Sequence, residues 1–465
     1  MPFVVLELLC RLFGWGLPTE FDDPFVGFSD VHPLFVLNED TRRYEIPQSR
    51  LKFFCPESFS AEKPSDRFRI FVLGGSTVQG RPYEKETSFT SWLEISLNVA
   101  APERHWRVIN CGGVSYASYR LIPILKEVLE HDPDMIIVCT GHNEFLEDRS
   151  YSHIKAMPAL VAWPTQQVMR LRTYNILRSG ALNLTKSEKQ QRRENIPELP
   201  AEVNARLDYK GGIEKYHRDE NWRKNVMDHF TFNLRQMEAI ARTANVPLVF
   251  VLPVAKLDCE PFKSEHRTDF PEADHSRFAK LLNQARVAPT PDQAIDHLEA
   301  ARDMDDRVAL VHYLLGRAYR NIGRLGEAKR SFERAMDEDI CPLRMLSPMR
   351  KTMLAVAKET KTPLINLQDE FATVSPGGIT GNRWLIDHVH PTIKGHQLVA
   401  EKLVNEFTTL QILRPKQGWR KELPEVYTAF FTHLKKDKPL YFTRAANRLK
   451  GVKTWSFGNV RLERE

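Results

Sequence analysis

Three short stretches of the sequence carry side chains that could perform acyl transfer together. Ser76 stands in a Gly-Gly-Ser-Thr run, Asn143 stands in a Gly-His-Asn-Glu run, and Asp387 precedes His390 by three residues. Acyl transfer needs a nucleophile, donors that stabilise the oxyanion, and a general base with a group that orients it. A serine, an asparagine amide and an Asp/His pair are side chains of the types that meet these needs.

The surroundings of Ser76 favour a nucleophile. The apolar run 69–73 predicts a buried strand, and the two glycines after it permit a tight turn with close backbone approach. Ser76 is then expected at the start of a helix, where free N–H groups favour negative charge. The Gly-Lys-Ser/Thr of a P-loop is missing. The Gly-x-Ser-x-Gly elbow is missing too, since Val78 stands two residues after the serine, where that motif has a glycine. Nucleotide binding at this glycine-rich turn remains an alternative interpretation.

Oxyanion donors are expected at the ends of two further strands. Asn143 follows the apolar run 135–139, and its side-chain N–H could reach the oxyanion; the alternative is a structural role, because asparagine tolerates left-handed backbone. Gly112 and Gly113 follow a strand-like run at 106–110, and a backbone N–H from that turn could serve the same hole.

The Asp/His pair suits a general base. A carboxylate three residues before an imidazole can accept its Nδ1–H, which leaves Nε2 free to take a serine proton. His388 lies nearby, but the spacing favours His390 with Asp387. No metal ligand set is expected, because the six cysteines show no Cys-x-x-Cys pairing, and no cofactor is required.

The spacing of apolar residues predicts the elements that must position these side chains. Strands are expected at 69–73, 106–110, 135–139, 247–252 and 363–367. Helices are expected between them at 88–100, 118–130, 221–244 and 348–360. Apolar strands that alternate with helices and lack period-two alternation predict a parallel sheet covered on both faces, with ligands at the carboxyl ends of its strands.

Two insertions interrupt this plan, at 146–215 and 266–345. The first is rich in arginine. In the second, one set of small and apolar residues recurs 34 positions later, preceded by Leu315-Gly316 and Tyr319: Ala294, Leu298 and Ala301 return as Ala328, Phe332 and Ala335. This pattern resembles a tetratricopeptide repeat. It is interpreted as a helical buttress for the catalytic domain, or alternatively as a surface that docks a protein partner.

The two ends of the chain differ in character. Residues 3–17 are mostly apolar but include Glu7 and Arg11, which makes them too short and too charged for a membrane span. Three interpretations of this segment remain open: an amphipathic helix that packs on the domain, a helix in the membrane interface, or the end of a membrane anchor. Localisation at the cell envelope or membrane is therefore retained beside localisation in the cytoplasm. The net charge is +6, and residues 414–465 hold 13 basic against 5 acidic residues. That tail is interpreted as a solvated helix or a contact for anionic lipid or polymer; no nucleic-acid partner is expected.

Taken in order, the motifs resemble those of the SGNH/GDSL hydrolase superfamily, which is named for its Ser, Gly, Asn and His. The resemblance implies a three-layer α/β/α, flavodoxin-like domain with a parallel five-stranded sheet, plus the helical insertion. It also implies a nucleophile at Ser76, a base at His390 oriented by Asp387, and an oxyanion hole built from Ser76, Gly112 or Gly113, and Asn143.

Three departures from the family pattern accompany the match. Gly-Gly-Ser replaces Gly-Asp-Ser, Glu144 stands where an aspartate is usual, and the family glycine often lies farther along, near Ser115 or Tyr116. The predicted organisation is a lead-in at 1–65, core at 66–145, the basic insertion at 146–215, core at 216–265, the helical insertion at 266–345, core at 346–412 and the basic tail at 413–465.

The sequence therefore predicts a serine esterase that acts on ester substrates, small or carried on carbohydrate or lipid, through an acyl-enzyme. One alternative is an O-acyltransferase, in which a sugar hydroxyl replaces water. Another is a non-catalytic scaffold that docks a partner through the helical insertion.

Overall fold

The computed structural model describes residues 6–10, 33–147, 173 and 212–455 of the chain. Its strands, in chain order, are β1 (Val36–Asn38), β2 (Arg43–Glu45), β3 (Ser58–Ser60), β4 (Arg67–Gly74), β5 (His105–Gly112), β6 (Met135–Cys139), β7 (Leu248–Leu252) and β8 (Leu364–Asn366). Its longer helices and one short one are α1 (Ser76–Gln79), α2 (Phe89–Ala100), α3 (Ser118–Val128), α4 (Glu220–Thr243), α5 (His275–Val287), α6 (Pro291–Met304), α7 (Ala309–Asn321), α8 (Leu325–Asp337), α9 (Ser347–Thr360), α10 (Leu367–Thr373), α11 (Ile393–Thr409), α12 (Trp419–Asp437) and α13 (Tyr441–Trp455).

The central sheet has five parallel strands in the order β5-β4-β6-β7-β8. Numbered along the sheet's own strands this is 2-1-3-4-5, the flavodoxin-like order. The predicted fold class is therefore confirmed, and each predicted strand and helix lies within two residues of its expected ends. The antiparallel sheet β1-β2-β3 in the lead-in was not predicted.

Both faces of the central sheet are buried, which explains why its strands read as continuous apolar runs. Phe71 and Leu73 face one core with helices α3, α4 and α9, whereas Ile70 and Val72 face the other with α2 and α11. Alternate residues of one strand thus serve opposite layers, as a pleated backbone requires. Cys111 and Cys139, at strand ends, are buried free thiols as expected for small core residues.

The second insertion folds into the four helices α5–α8, and each helix packs against the next. Leu315 and Phe332 are buried between α7 and α8, and Gly316 lies against the Phe332 ring. The chain leaves and rejoins the core at one place, where the Ile340 N–H donates to the Lys263 carbonyl at 2.9 Å. Its identity as a tetratricopeptide-type repeat, and any partner it docks, remain predictions.

The basic tail folds into α12 and α13, which pack on the core through Trp419, Leu423, Leu434 and Tyr441. Most of the basic insertion, and all of the apolar N-terminal segment except the helical residues 6–10, lie outside the described residues. Within the part of the chain that the structure describes, no helix has both the length and the apolar character needed to cross a membrane.

Candidate active site

Ser76 lies at the point where the order of the sheet reverses. It is the first residue of α1, directly after β4, and Asn143 follows the neighbouring strand β6. Because the chain passes from β4 to β5 on one side and later returns to β6 on the other, a crevice opens between these strand ends. This is where ligands bind in open parallel sheets.

The two glycines before Ser76 are needed for the close contacts around this turn. A Cβ on Gly74 would lie 2.3 Å from the carbonyl oxygen of Cys139 and 2.3 Å from Val78. A Cβ on Gly75 would lie 2.5 Å from the Asn143 amide nitrogen. Any larger residue would push β6, or the asparagine itself, away from the serine.

A continuous chain of hydrogen bonds links Ser76 to a buried carboxylate. The Ser76 hydroxyl lies 2.7 Å from Nε2 of His390, although the two residues are 314 positions apart. The Nδ1 atom of the same ring lies 2.6 Å from Asp387 Oδ2. An ionised carboxylate only accepts hydrogen bonds, so Nδ1 carries the proton and Nε2 accepts from the serine. The other carboxylate oxygen accepts the N–H groups of Val389 at 2.9 Å and His390 at 2.8 Å.

The electrostatics of this loop keep Asp387 ionised. Burial by itself would raise the pKa of the carboxyl group, but the charges of His390 and His388 and the hydrogen bonds from His390 outweigh it, so the pKa lies well below its ordinary value. His388 is held differently: its ring packs edge-on against Phe262 at 5.1 Å, and burial lowers its pKa to about 4.

Asn143 is aimed at the turn that carries Ser76. Its side-chain nitrogen donates to the Tyr116 carbonyl at 3.0 Å and lies beside Gly75. This bond uses one of the two amide hydrogens of the side chain.

The structure corrects the predicted backbone donors of the oxyanion hole. The Gly112 N–H donates to Asn110 Oδ1 at 2.9 Å, and the Gly113 N–H donates to the Gly74 carbonyl at 2.9 Å. Both groups are used within the fold: the Asn110 side chain accepts from Gly112, and the pairing of β4 with β5 extends to Gly113.

Ser115 replaces them as the candidate donor. It has φ of +63°, in the left-handed region that favours glycine, and its N–H makes no hydrogen bond to the residues described. It stands next to Tyr116, whose carbonyl holds Asn143. The role of Ser115 could not be predicted from its residue type, because serine has no preference for the left-handed backbone conformation. Only the spacing of the motifs in the resembled family indicated this position.

A buried polar cluster holds the Asn143 loop against the helix that follows Ser115. The Glu144 carboxylate accepts the N–H and the hydroxyl of Ser118, both at 2.8 Å, and the Asn233 amide donates to the same hydroxyl at 2.9 Å. Glu144 is completely buried. The glutamate that departs from the family pattern therefore ties the end of β6 to the N-terminus of α3.

The helical insertion also reaches this loop. The N–H of Met345, the last residue of the insertion, donates to Nδ1 of His142 at 3.1 Å, and the Met345 side chain packs on Gly141, whose φ is +130°. Burial, together with the nearby charges of His388 and His390, lowers the pKa of His142 to about 3. Among the residues in the described ranges, no cluster of three or more histidine, cysteine, aspartate or glutamate side chains could hold a metal ion.

The chain is only distantly similar to known proteins. No protein-family model matches the chain, and no curated protein sequence matches it. Among solved structures, an acetylxylan esterase from Geobacillus stearothermophilus is 11% identical, with 73% of this chain and 93% of that chain covered and a TM-score of 0.33. A lipase/acylhydrolase from Enterococcus faecalis is 13% identical, with 76% and 100% covered and a TM-score of 0.33. Similarity this low does not extend to activity or substrate.

Proposed function

We propose that this chain is a serine esterase that hydrolyses acyl esters through an acyl-enzyme. The observation that supports it is the hydrogen-bond chain from the Ser76 hydroxyl through His390 to Asp387, with separations of 2.7 and 2.6 Å. A hydroxyl, an imidazole and a buried carboxylate in this order form the arrangement that activates a serine for attack.

The proposed reaction has two halves. Ser76 Oγ attacks the ester carbonyl while His390 Nε2 takes its proton, and the same proton then goes to the leaving alcohol. Water loses a proton to His390 and attacks the acyl carbonyl; the bond to Ser76 Oγ then breaks, His390 returns the proton to that oxygen, and the acid is released. In both halves the negative oxygen is stabilised by the N–H groups of Ser76 and Ser115 and by the amide of Asn143.

The site requires no cofactor for these steps. An O-acyl transfer would use the same acyl-enzyme with an alcohol in place of water, so the acceptor separates a hydrolase from an O-acyltransferase. Carbohydrate and lipid esters are the proposed substrate classes.

The Ser76→Ala variant tests the mechanism. It removes the attacking oxygen, and we expect the turnover of p-nitrophenyl acetate to fall to the background rate while the far-ultraviolet circular dichroism spectrum is unchanged. A fluorophosphonate probe should label the unmodified chain at Ser76, as located by peptide mass spectrometry. Ser91→Ala is the matched control. Ser91 lies on the next helix, α2, and its hydroxyl donates to the Lys85 carbonyl at 2.7 Å instead of to a histidine.

Wild-type turnover by Ser76→Ala would refute the proposal. Persistent failure of the folded, unmodified chain to react with the probe would instead favour the scaffold interpretation. Measuring the free acid and the transferred ester in the presence of a sugar acceptor would distinguish hydrolysis from acyl transfer.

A further inference from the structure

A pocket of about 410 Å³ lies at the C-terminal end of α1, the helix that begins at Ser76. Its walls come from segment 51–56, from the loop after α1 and from the C-terminal helices. Basic side chains outnumber acidic ones by six to two among the residues that line it: Lys52, Arg81, Lys85, Lys438, Arg444 and Arg448 against Glu84 and Glu86.

The two acidic residues are already neutralised from within the wall. Lys438 Nζ lies 2.6 Å from Glu86 and 3.6 Å from Glu84, and Arg448 lies 2.9 Å from Glu84. Lys85 is directed to another carboxylate, Glu57, at 3.0 Å. The positive excess of the pocket therefore remains after its internal ion pairs are formed.

Arg81 and Arg444 carry that excess. Neither guanidinium makes a hydrogen bond or an ion pair with any residue that the structure describes, and both line the pocket. Arg81 is half-buried; its burial and the neighbouring charge of Arg448 lower its pKa, although an arginine stays protonated at neutral pH. The charge of Asp387 acts on Arg81 without forming an ion pair. A partly desolvated cation without a directly paired counter-charge is costly, and a bound anion would relieve that cost.

The pocket wall is held firmly and lies close to Ser76 along the chain. The Arg81 N–H donates to the Ser76 carbonyl at 3.1 Å, and Gln79, the last residue of α1, also lines the pocket. The Tyr441 hydroxyl accepts the N–H groups of Glu84 at 3.1 Å and Thr87 at 3.2 Å, which fixes α13 to the loop that carries Arg81.

We propose that this pocket is an anion-binding site that accepts a phosphate or carboxylate group on Arg81 and Arg444. The planar, five-donor guanidinium matches both groups in a bidentate manner. The anion is either part of the ester substrate or a free ion that binds beside the serine helix, and these two sources share the same recognition chemistry.

Binding of inorganic phosphate tests the site. The full chain carrying Ser76→Ala is titrated by calorimetry at constant ionic strength, so turnover plays no part and general screening is held fixed. We expect saturable binding with a dissociation constant on the order of 1 mM. Arg81→Gln and, separately, Arg444→Gln should each weaken it at least tenfold. Lys436→Gln, which removes an exposed charge on α12 outside the pocket, should bind phosphate like the parent.

Absence of saturable binding up to about 20 mM phosphate, a range that covers dissociation constants near 1 mM, would overturn the proposal. Undiminished binding by both arginine variants would do the same. Arg444 lies on an exposed helix surface, so its variant keeps the test valid if Arg81→Gln fails to fold. Because the measurement uses a chain without its nucleophile, its failure is distinct from failure of the esterase proposal.

A kinetic comparison then identifies the source of the anion, and this part rests on the proposed esterase function. If the substrate supplies it, an O-acetylated glucuronate should exceed the matching O-acetylated glucose in kcat/KM at least tenfold, Arg81→Gln should remove the difference, and phosphate should compete. If a free ion occupies the site, the two esters should be turned over alike, and phosphate should change both rates without competing.

Discussion

The two ends of the central sheet each carry a buried histidine, and the two are held in opposite ways. At the carboxyl end, His390 has a carboxylate on one ring nitrogen and the Ser76 hydroxyl on the other. At the amino end, just before β6, His131 packs among aromatic rings, with Tyr44 at 4.2 Å and Phe59 at 5.3 Å, and its Nε2 has no hydrogen-bond partner.

The difference indicates why His390, and not His131, suits the proposed role of a base. Burial, reinforced by the charge of Arg69, lowers the pKa of His131 to about 4, so this ring is neutral and serves as a packing group. His390 is equally enclosed, yet it has Asp387 to stabilise the imidazolium that forms when it takes a proton. A carboxylate partner, and not burial, distinguishes the two sites.

Asp387→Asn should cause the largest loss of activity, because it removes the carboxylate that distinguishes His390 from His131. An amide can donate to Nδ1, which allows the proton to move to Nε2 and leaves no acceptor for the serine hydroxyl. We expect kcat for p-nitrophenyl acetate to fall about 10³- to 10⁴-fold with the fold intact. His131→Phe, at the other end of the sheet, is the matched control and should retain full activity. If Asp387→Asn kept activity within tenfold of the parent, the orienting role would be wrong.

Asn143→Ala tests the aimed amide in the same crevice. Loss of one oxyanion donor is expected to lower kcat about 10²- to 10³-fold, with a smaller change in KM, because the interaction forms in the transition state. Asn233→Ala removes a buried amide that touches Ser118 instead of the substrate. We expect it to lower the free energy of unfolding by about 1–3 kcal/mol and to change kcat much less. Equal losses of kcat in both variants would argue against a donor at Asn143.

His131→Phe should have the smallest effect, which is a change in how the free energy of unfolding depends on pH. The folded-state pKa of about 4 lies below the unfolded value of about 6.5, so below pH 6.5 the unfolded chain binds the extra proton. Stability contributed by this residue is therefore full above pH 6.5 and declines as the pH falls towards 4. Urea titrations measure how much the free energy of unfolding falls between pH 7 and pH 5. We expect that fall to be about 1–2 kcal/mol smaller in His131→Phe than in the parent chain. Identical losses would mean that His131 is not held neutral.

Much of this architecture could be predicted because buried parallel strands have an unmistakable composition. The runs that became β6 and β7 are apolar throughout, and β4 is apolar from Ile70 to Leu73. The ends of these strands, and hence the positions of Ser76 and Asn143 beyond them, could therefore be predicted. The strands β1–β3 have three residues each and include Arg43 and Glu45, which is too short and too polar for a periodic signal.

The errors and omissions at the site come from backbone and long-range geometry. Gly112 and Gly113 were expected to be free turn residues, but the Gly112 N–H donates to the Asn110 side chain and the Gly113 N–H to the Gly74 carbonyl. Ser115, in contrast, adopts the left-handed conformation expected of glycine. The pocket that joins Arg81 to Arg444 brings together residues from opposite ends of the chain, and no local pattern encodes that meeting.

The contact between Lys263 and Ile340 has a consequence for the length of the chain between them. Since the polypeptide leaves and rejoins the core at residues that are hydrogen-bonded to each other, the two covalent connections of the bundle lie side by side. Lengthening or exchanging the bundle adds little loop-closure entropy, because the cost grows only with the logarithm of loop length. A change in the length of the bundle therefore need not alter the register of the strands or the spacing of the groups at their ends.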